Sequence, residues 1–153
     1  PYKLKIAGDG DIKAELQELV KQYGISDRVE FLGRLTPEEL LEVTSKAYIG
    51  YNLMEPGSLN YYYSLSNKFF DYMMSGVPSL NNKFPEYERI LEKDQMGLTL
   101  EFNKEALCSS IRKVMTDQNF YNELVNNCKK ARERYNWQRE KMHLLELFDK
   151  FEK

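Results

Sequence analysis

The chain has 153 residues with 22 Lys and Arg against 24 Asp and Glu, so its net charge is −2, and 42% of its residues are hydrophobic. That length supports one domain with a real core, and the balance of charge gives no summed field to hold nucleic acid or an anionic membrane. No run approaches the roughly 18 apolar residues of a membrane span, and the start, Pro1 to Ile6, has neither the apolar run nor the cleavage site of a signal peptide; a soluble, cytoplasmic protein is expected. Cys108 and Cys128 both fall in helical-looking segments and read as reduced core thiols, which is neither a disulfide framework nor a four-ligand zinc site. The single histidine, His143, sits in a late amphipathic stretch, which weakens every hydrolytic or metal scheme built on histidine.

In chain order, Tyr2 to Ala7 alternates and runs into Gly8-Asp9-Gly10, the pattern of a strand and tight turn. Ile12, Leu16, Leu19, Val20 and Tyr23 form one face of a helix that Gly24 ends. Val29 to Leu32 is a second strand, and Thr36-Pro37-Glu38-Glu39 supplies the cap, first-turn proline and capping-box acid of a helix to about Ser45. Ala47 to Leu53 reads as a third strand and Met54 to Leu65 as a tyrosine-rich loop; Ser66 then caps a helix over Asn67 to Ser75, closed by Gly76. Val77 to Leu80 and Gly97 to Glu101 are short strands around a helix over Pro85 to Lys93. Three amphipathic helices follow, marked by Leu107 to Met115, Phe120 to Ala131 and Trp137 to Phe151. Alternation of short apolar strands with amphipathic helices implies an α/β fold, a doubly wound, Rossmann-like parallel sheet with helices on both faces.

Ligands of such a sheet bind beyond the carboxyl ends of the strands, which singles out three turns. Gly8 and Gly10 flank a strand-to-helix turn that is not a full G-x-G-x-x-G, and turn geometry accounts for them as well as a ligand does. Gly33-Arg34-Leu35 places an Arg directly after a strand, where it either covers a ligand ring or stands solvated before the next helix. Ser66-Asn67-Lys68 opens a helix, so free N–H groups, the positive end of the helix dipole and one ammonium converge. Asp71 falls on the same side of that helix, where a carboxylate accepts two hydrogen bonds from vicinal hydroxyls or simply pairs with Lys68. Tyr51 and Tyr61 to Tyr63 either stack on a sugar or base or pack over the sheet end.

The succession strand, Gly8-Asp9-Gly10, helix, Asp27-Arg28-Val29-Glu30-Phe31-Leu32-Gly33, Pro37-Glu38-Glu39-Leu40, then Leu65-Ser66-Asn67-Lys68-Phe69-Phe70-Asp71-Tyr72-Met73-Met74-Ser75-Gly76-Val77-Pro78 resembles the C-terminal half of group 1, GT-B-fold retaining glycosyltransferases, with Tyr135-Asn136-Trp137 similar to the family's closing aromatic motif. The resemblance implies a UDP- or GDP-linked sugar donor bound to this half, and a saccharide or lipid-linked acceptor held mostly by an N-terminal half, in polysaccharide biosynthesis. Carried over by position, Gly8 and Gly10 line the donor cleft, and Gly33, Arg34 and Leu35 hold the nucleobase. Ser66, Asn67 and Lys68 cradle the diphosphate, with Lys68 the catalytic charge stabiliser, and Asp71 holds the ribose as the second acid of E-x7-E. The first acid of that pattern falls at Tyr63, which is not acidic, as in the family branch reading roughly P-N-K-x-F-E-Y. No metal or cofactor is implied.

The resemblance also implies absences. The family's C-terminal half starts with a further strand and helix, which carry a glycine-rich turn and basic residues, and this chain begins after them. Residues 1–153 are therefore expected to be a single nucleotide-sugar-binding domain, a fragment of a larger two-domain enzyme, inactive alone and cytoplasmic or membrane-peripheral. The strand lacking in the middle would leave unpaired backbone groups between the strands beginning near Lys3 and Ala47, so either those two pair directly or another copy of the chain pairs with them. Two other readings stay open: a non-catalytic α/β module that binds a nucleotide or partner protein, favoured by Tyr63, and a nucleotide-sugar epimerase, which needs more titratable groups than one His leaves.

Overall fold

The computed structural model describes residues 2–151, which divide into two compact units, residues 2–43 and 44–151. In the first unit β1 (Leu4–Ala7) and β2 (Val29–Gly33) pair in parallel, Leu4 opposite Val29, and a bulge between Ile6 and Ala7 brings Ala7 opposite Gly33. The connection is α1 (Lys13–Gln22), whose N-terminal flanking residue, Ile12, offers no side-chain cap. At α2 (Pro37–Ser45) the capping box forms as its spacing requires: Glu39 N–H donates to Thr36 Oγ1 at 3.3 Å and Thr36 N–H to Glu39 Oε2 at 2.8 Å. None of the described residues up to Val43 is buried.

The second unit holds β3 (Gly50–Asn52), β4 (Ser79–Asn82) and β5 (Gly97–Leu100), all parallel in that order. Between and after them run α3 (Leu59–Tyr63), α4 (Asn67–Met74), α5 (Pro85–Asp94), α6 (Lys104–Thr116), α7 (Gln118–Ala131) and α8 (Trp137–Asp149). Helix α4 packs on β3 and β4 and against α7, while α5 and α6 pack on β5. The core is drawn from these layers, with Phe69 and Met73 of α4 meeting Tyr87 and Ile90 of α5 and Cys128 of α7. Parallel strands joined by helices on both faces are the α/β architecture the sequence predicts.

Several details differ from that reading. The fourth strand lies two residues later than predicted, because Pro78 has no N–H: its carbonyl accepts from Gly50 N–H at 2.9 Å, and pairing with β5 begins at Ser79. The tyrosine loop contains a helical turn, α3, whose cap Ser58 Oγ accepts from Asn60 N–H at 3.2 Å. Cys108 is exposed and not a core thiol, since it stands off the stripe of α6 that buries Val114. Direct pairing of the first and third strands does not occur among the described residues: β1 pairs only with β2, and β3 only with β4.

Candidate functional site

In the first unit, the ends of β1 and β2 are tied by Gly8 N–H donating to the Gly33 carbonyl at 2.7 Å. Both glycines have positive φ, 128° at Gly8 and 69° at Gly33, which a side chain would strain although the space beside each is open. Gly10 opens α1 by accepting from Lys13 N–H at 3.1 Å, and Lys13 pairs with Asp9 at 3.3 Å. Arg34 is exposed and makes no ion pair among the described residues; Leu35 is half-buried. These predicted residues thus share one end of a two-stranded sheet.

The others lie together in the second unit at the start of α4. Ser66 precedes this helix but does not cap it with its side chain. Its hydroxyl is 2.6 Å from Asn52 Oδ1, its N–H donates to Tyr87 Oη at 3.0 Å, and its carbonyl accepts from Phe69 N–H at 3.1 Å. Every polar group of Ser66 is therefore engaged, whereas the N–H groups of Asn67 and Lys68 have no partner among the described residues. Lys68 and Asp71 are exposed, and the pairing that their spacing permits does not form. Tyr63 ends α3 with its ring 64% exposed, edge-on to Tyr62, which in turn leans on Phe84.

Sequence reasoning missed the residues beneath this helix start. Strand β4 is flanked on both sides, so all four of its side chains, Ser79, Leu80, Asn81 and Asn82, are buried, and its polar members require partners. Asn81 Oδ1 accepts from Asn52 Nδ2 at 2.9 Å, while its own amide nitrogen donates to the carbonyls of Ser79 and Leu98 at 3.1 and 3.3 Å. Asn82 holds the Met54 backbone with both amide atoms, accepting from its N–H at 2.6 Å and donating to its carbonyl at 2.9 Å. Asparagine is disfavoured in strands, so three of them at the ends of two short strands were the available signal.

Asn67, Lys68 and Asp71 at this helix start are all exposed. Hollows of about 440 and 370 Å³ lie elsewhere in the second unit, one bordered by Lys93, Lys130 and Arg134, the other by Leu98, Phe120 and Leu124. Among the described residues no group of three or more His, Cys, Asp or Glu side chains gathers in a way that suits a metal ion, and no helix is long and apolar enough to cross a membrane.

Residues 1–131 match the family model of glycosyl transferases group 1. The chain belongs to that family. Within it, the chain is 32% identical over 130 residues, 84% of its length, to the GalNAc-alpha-(1->4)-GalNAc-alpha-(1->3)-diNAcBac-PP-undecaprenol alpha-1,4-N-acetyl-D-galactosaminyltransferase of Campylobacter jejuni, of which it covers 33%. It spans about a third of the length of the curated relatives it matches. Among solved structures, Anabaena HepE in complex with UDP superposes with a TM-score of 0.81 at 15% identity, over 97% of this chain and 41% of that one. Sucrose-phosphate synthase of Thermosynechococcus elongatus superposes with a TM-score of 0.74 at 21% identity, over 97% of this chain and 38% of the other. The fold of this chain is thus that of part of the Rossmann-like half of GT-B enzymes.

Proposed function

We propose that the chain is the donor-binding part of a retaining glycosyltransferase that moves a sugar from a nucleoside diphosphate, UDP- or GDP-linked, to a saccharide or lipid-linked acceptor. The observation that carries this reading is the open start of α4: two unpartnered N–H groups and the unpaired ammonium of Lys68 at one helix N-terminus of a group 1 glycosyl transferase chain. When the bond between the anomeric carbon and the diphosphate oxygen breaks, its electron pair stays on the diphosphate. The Asn67 and Lys68 N–H groups and the Lys68 ammonium stabilise that charge without reorganising, which lowers the barrier. Ser66 sets the turn at which this cradle begins while its own hydroxyl is held by Asn52, Asp71 accepts from the ribose hydroxyls, and Tyr63 stands toward the donor sugar. Gly8 and Gly10 line the cleft, while Gly33, Arg34 and Leu35 hold the base. The complex of HepE with UDP supports a nucleotide ligand for this fold half. In a two-domain enzyme an acceptor-binding half faces this exposed helix start, and a cytoplasmic or membrane-peripheral setting goes with the two free cysteines.

A titration of the chain with UDP and GDP, with AMP as control, followed by amide chemical shifts, tests the reading. Shifts at Gly33, Ser66 to Lys68 and Asp71 are expected with one diphosphate and not with AMP. Silence at those residues overturns the donor-site assignment. Tyr63 in place of an acid favours a second reading, a nucleotide-binding module without transfer, and acceptor-dependent turnover separates the two.

A further inference from the structure

We propose that Asn52 and Tyr87 are positioning residues for the diphosphate, acting through Ser66; the inference rests on the donor-binding reading of α4. A serine in front of a helix normally turns its hydroxyl oxygen back onto the second or third N–H of that helix, here those of Lys68 and Phe69. In this chain the hydroxyl points the other way, into the sheet, and the reason can be traced through hydrogen bonds. The Asn81 amide nitrogen faces the carbonyls of Ser79 and Leu98, which only accept, so its Oδ1 is turned to Asn52. Asn52 must then present Nδ2 to Asn81 and Oδ1 to Ser66, so the Ser66 hydroxyl donates, at 2.6 Å. Tyr87, fully buried, fixes the other end of the same residue by accepting from Ser66 N–H at 3.0 Å.

The consequence is a helix start kept open. Asn52 is buried without exposure, and the hydrogen bonds of its side chain go to Asn81 and Ser66. Were it not there, Ser66 would be free to cap Lys68 N–H, and a phosphate would have to displace that cap before binding. Asn52 and Tyr87 hold the cap off, so the donors wait unpartnered for the ligand. Neither residue touches the nucleotide.

The test uses UDP with the 153-residue chain, reading the dissociation constant and the Lys68 amide shift for wild type, Asn52→Ala, Asn52→Ala/Ser66→Ala and Tyr87→Phe. Asn52→Ala is expected to weaken UDP by about fivefold or more, the worth of one released hydrogen bond. The double variant, which lacks the competing hydroxyl, is expected to recover most of that loss, an outcome that general destabilisation does not produce. Tyr87→Phe keeps the ring in the core and is expected to weaken UDP in the same direction in a folded chain. Leu124→Ala, a core truncation in α7, serves as the control that lowers stability without moving the UDP constant. Wild-type affinity in both Asn52→Ala and Tyr87→Phe, or a double variant no better than Asn52→Ala, overturns the inference and leaves the donor reading standing. A wild-type chain that binds neither UDP nor GDP overturns both.

Discussion

Lys68 stands with its side chain in water, at the end of a helix dipole that opposes a positive charge, and with Asp71 within one helical turn yet unpaired. No ion pair holds its ammonium among the described residues, so under the proposed donor reading it is free to meet an incoming diphosphate. In an acceptor-dependent assay of the intact two-domain enzyme, Lys68→Ala is expected to raise the transfer barrier by about 2–4 kcal/mol, the usual cost of removing one preorganised charge stabiliser. An unchanged kcat/KM would assign the charge stabilisation to another residue. Lys68 was legible in the sequence because Gly76 closes, and Ser66 precedes, a short amphipathic run. Asn52 and Tyr87 were not, because the hydrogen bonds that reach Ser66 come from residues 14 and 21 positions away. Cys108 was misplaced for a related reason: an apolar thiol in a helix reads as core until the helix's partner face is known.

At the scale of elements, the seat of α4 on β3 depends on one missing methyl group. A Cβ at Gly50 would lie 2.5 Å from the ring of Tyr72, whose hydroxyl donates to the Tyr51 carbonyl at 3.4 Å. Gly50→Ala therefore has to push the ring, and with it α4, off the strand, and is expected to cost about 1–3 kcal/mol, the range for overpacking. Thermal denaturation checks this against Gly57→Ala, where an added Cβ meets nothing within 4 Å and the change should stay within about 0.5 kcal/mol. A melt unchanged by Gly50→Ala would mean that α4 shifts on the sheet without loss. Helices with a proline and acids in the first turn were readable to within a residue or two, as at α2, which also has its capping box, and at α5. Among the short strands β5 was read to within a residue, but β3 was drawn too long and β4 two residues early, since few positions exist to show alternation and a fully buried polar strand such as β4 shows none. The turn α3 was hidden because tyrosine favours strands and loops over short helices.

At the scale of the whole molecule, the order of strands and helices was legible because each crossover carries its own start and stop signals, while the division into two sheets was decided by pairing that no local signal reports. The protein's response to alkali is likewise a property of packing. Burial between α7 and its neighbours pushes the Cys128 thiol up to about 12 from an ordinary 9.0, and its sulfur donates to the Met96 carbonyl at 3.3 Å. Burial also raises Tyr51, Tyr72 and Tyr135, the last helped by its hydrogen bond to the Asp94 carboxylate. In the unfolded chain these groups release protons from about pH 9 to 10, whereas the folded chain holds them. Between those limits the unfolded state binds fewer protons, so stability is flat near neutrality and falls as pH rises from about 9 toward 12. Cys128 alone carries on the order of 4 kcal/mol across that interval, at about 1.4 kcal/mol for each pH unit. Urea midpoints at pH 7.5, 9, 10 and 11 should therefore decline in the wild type, and Cys128→Ala, less stable at pH 7.5 for the lost packing, should show a shallower decline. Parallel curves for the two proteins would mean that the thiol ionises in place, and that the α7 contact with Met96 opens to water before the rest of the core does.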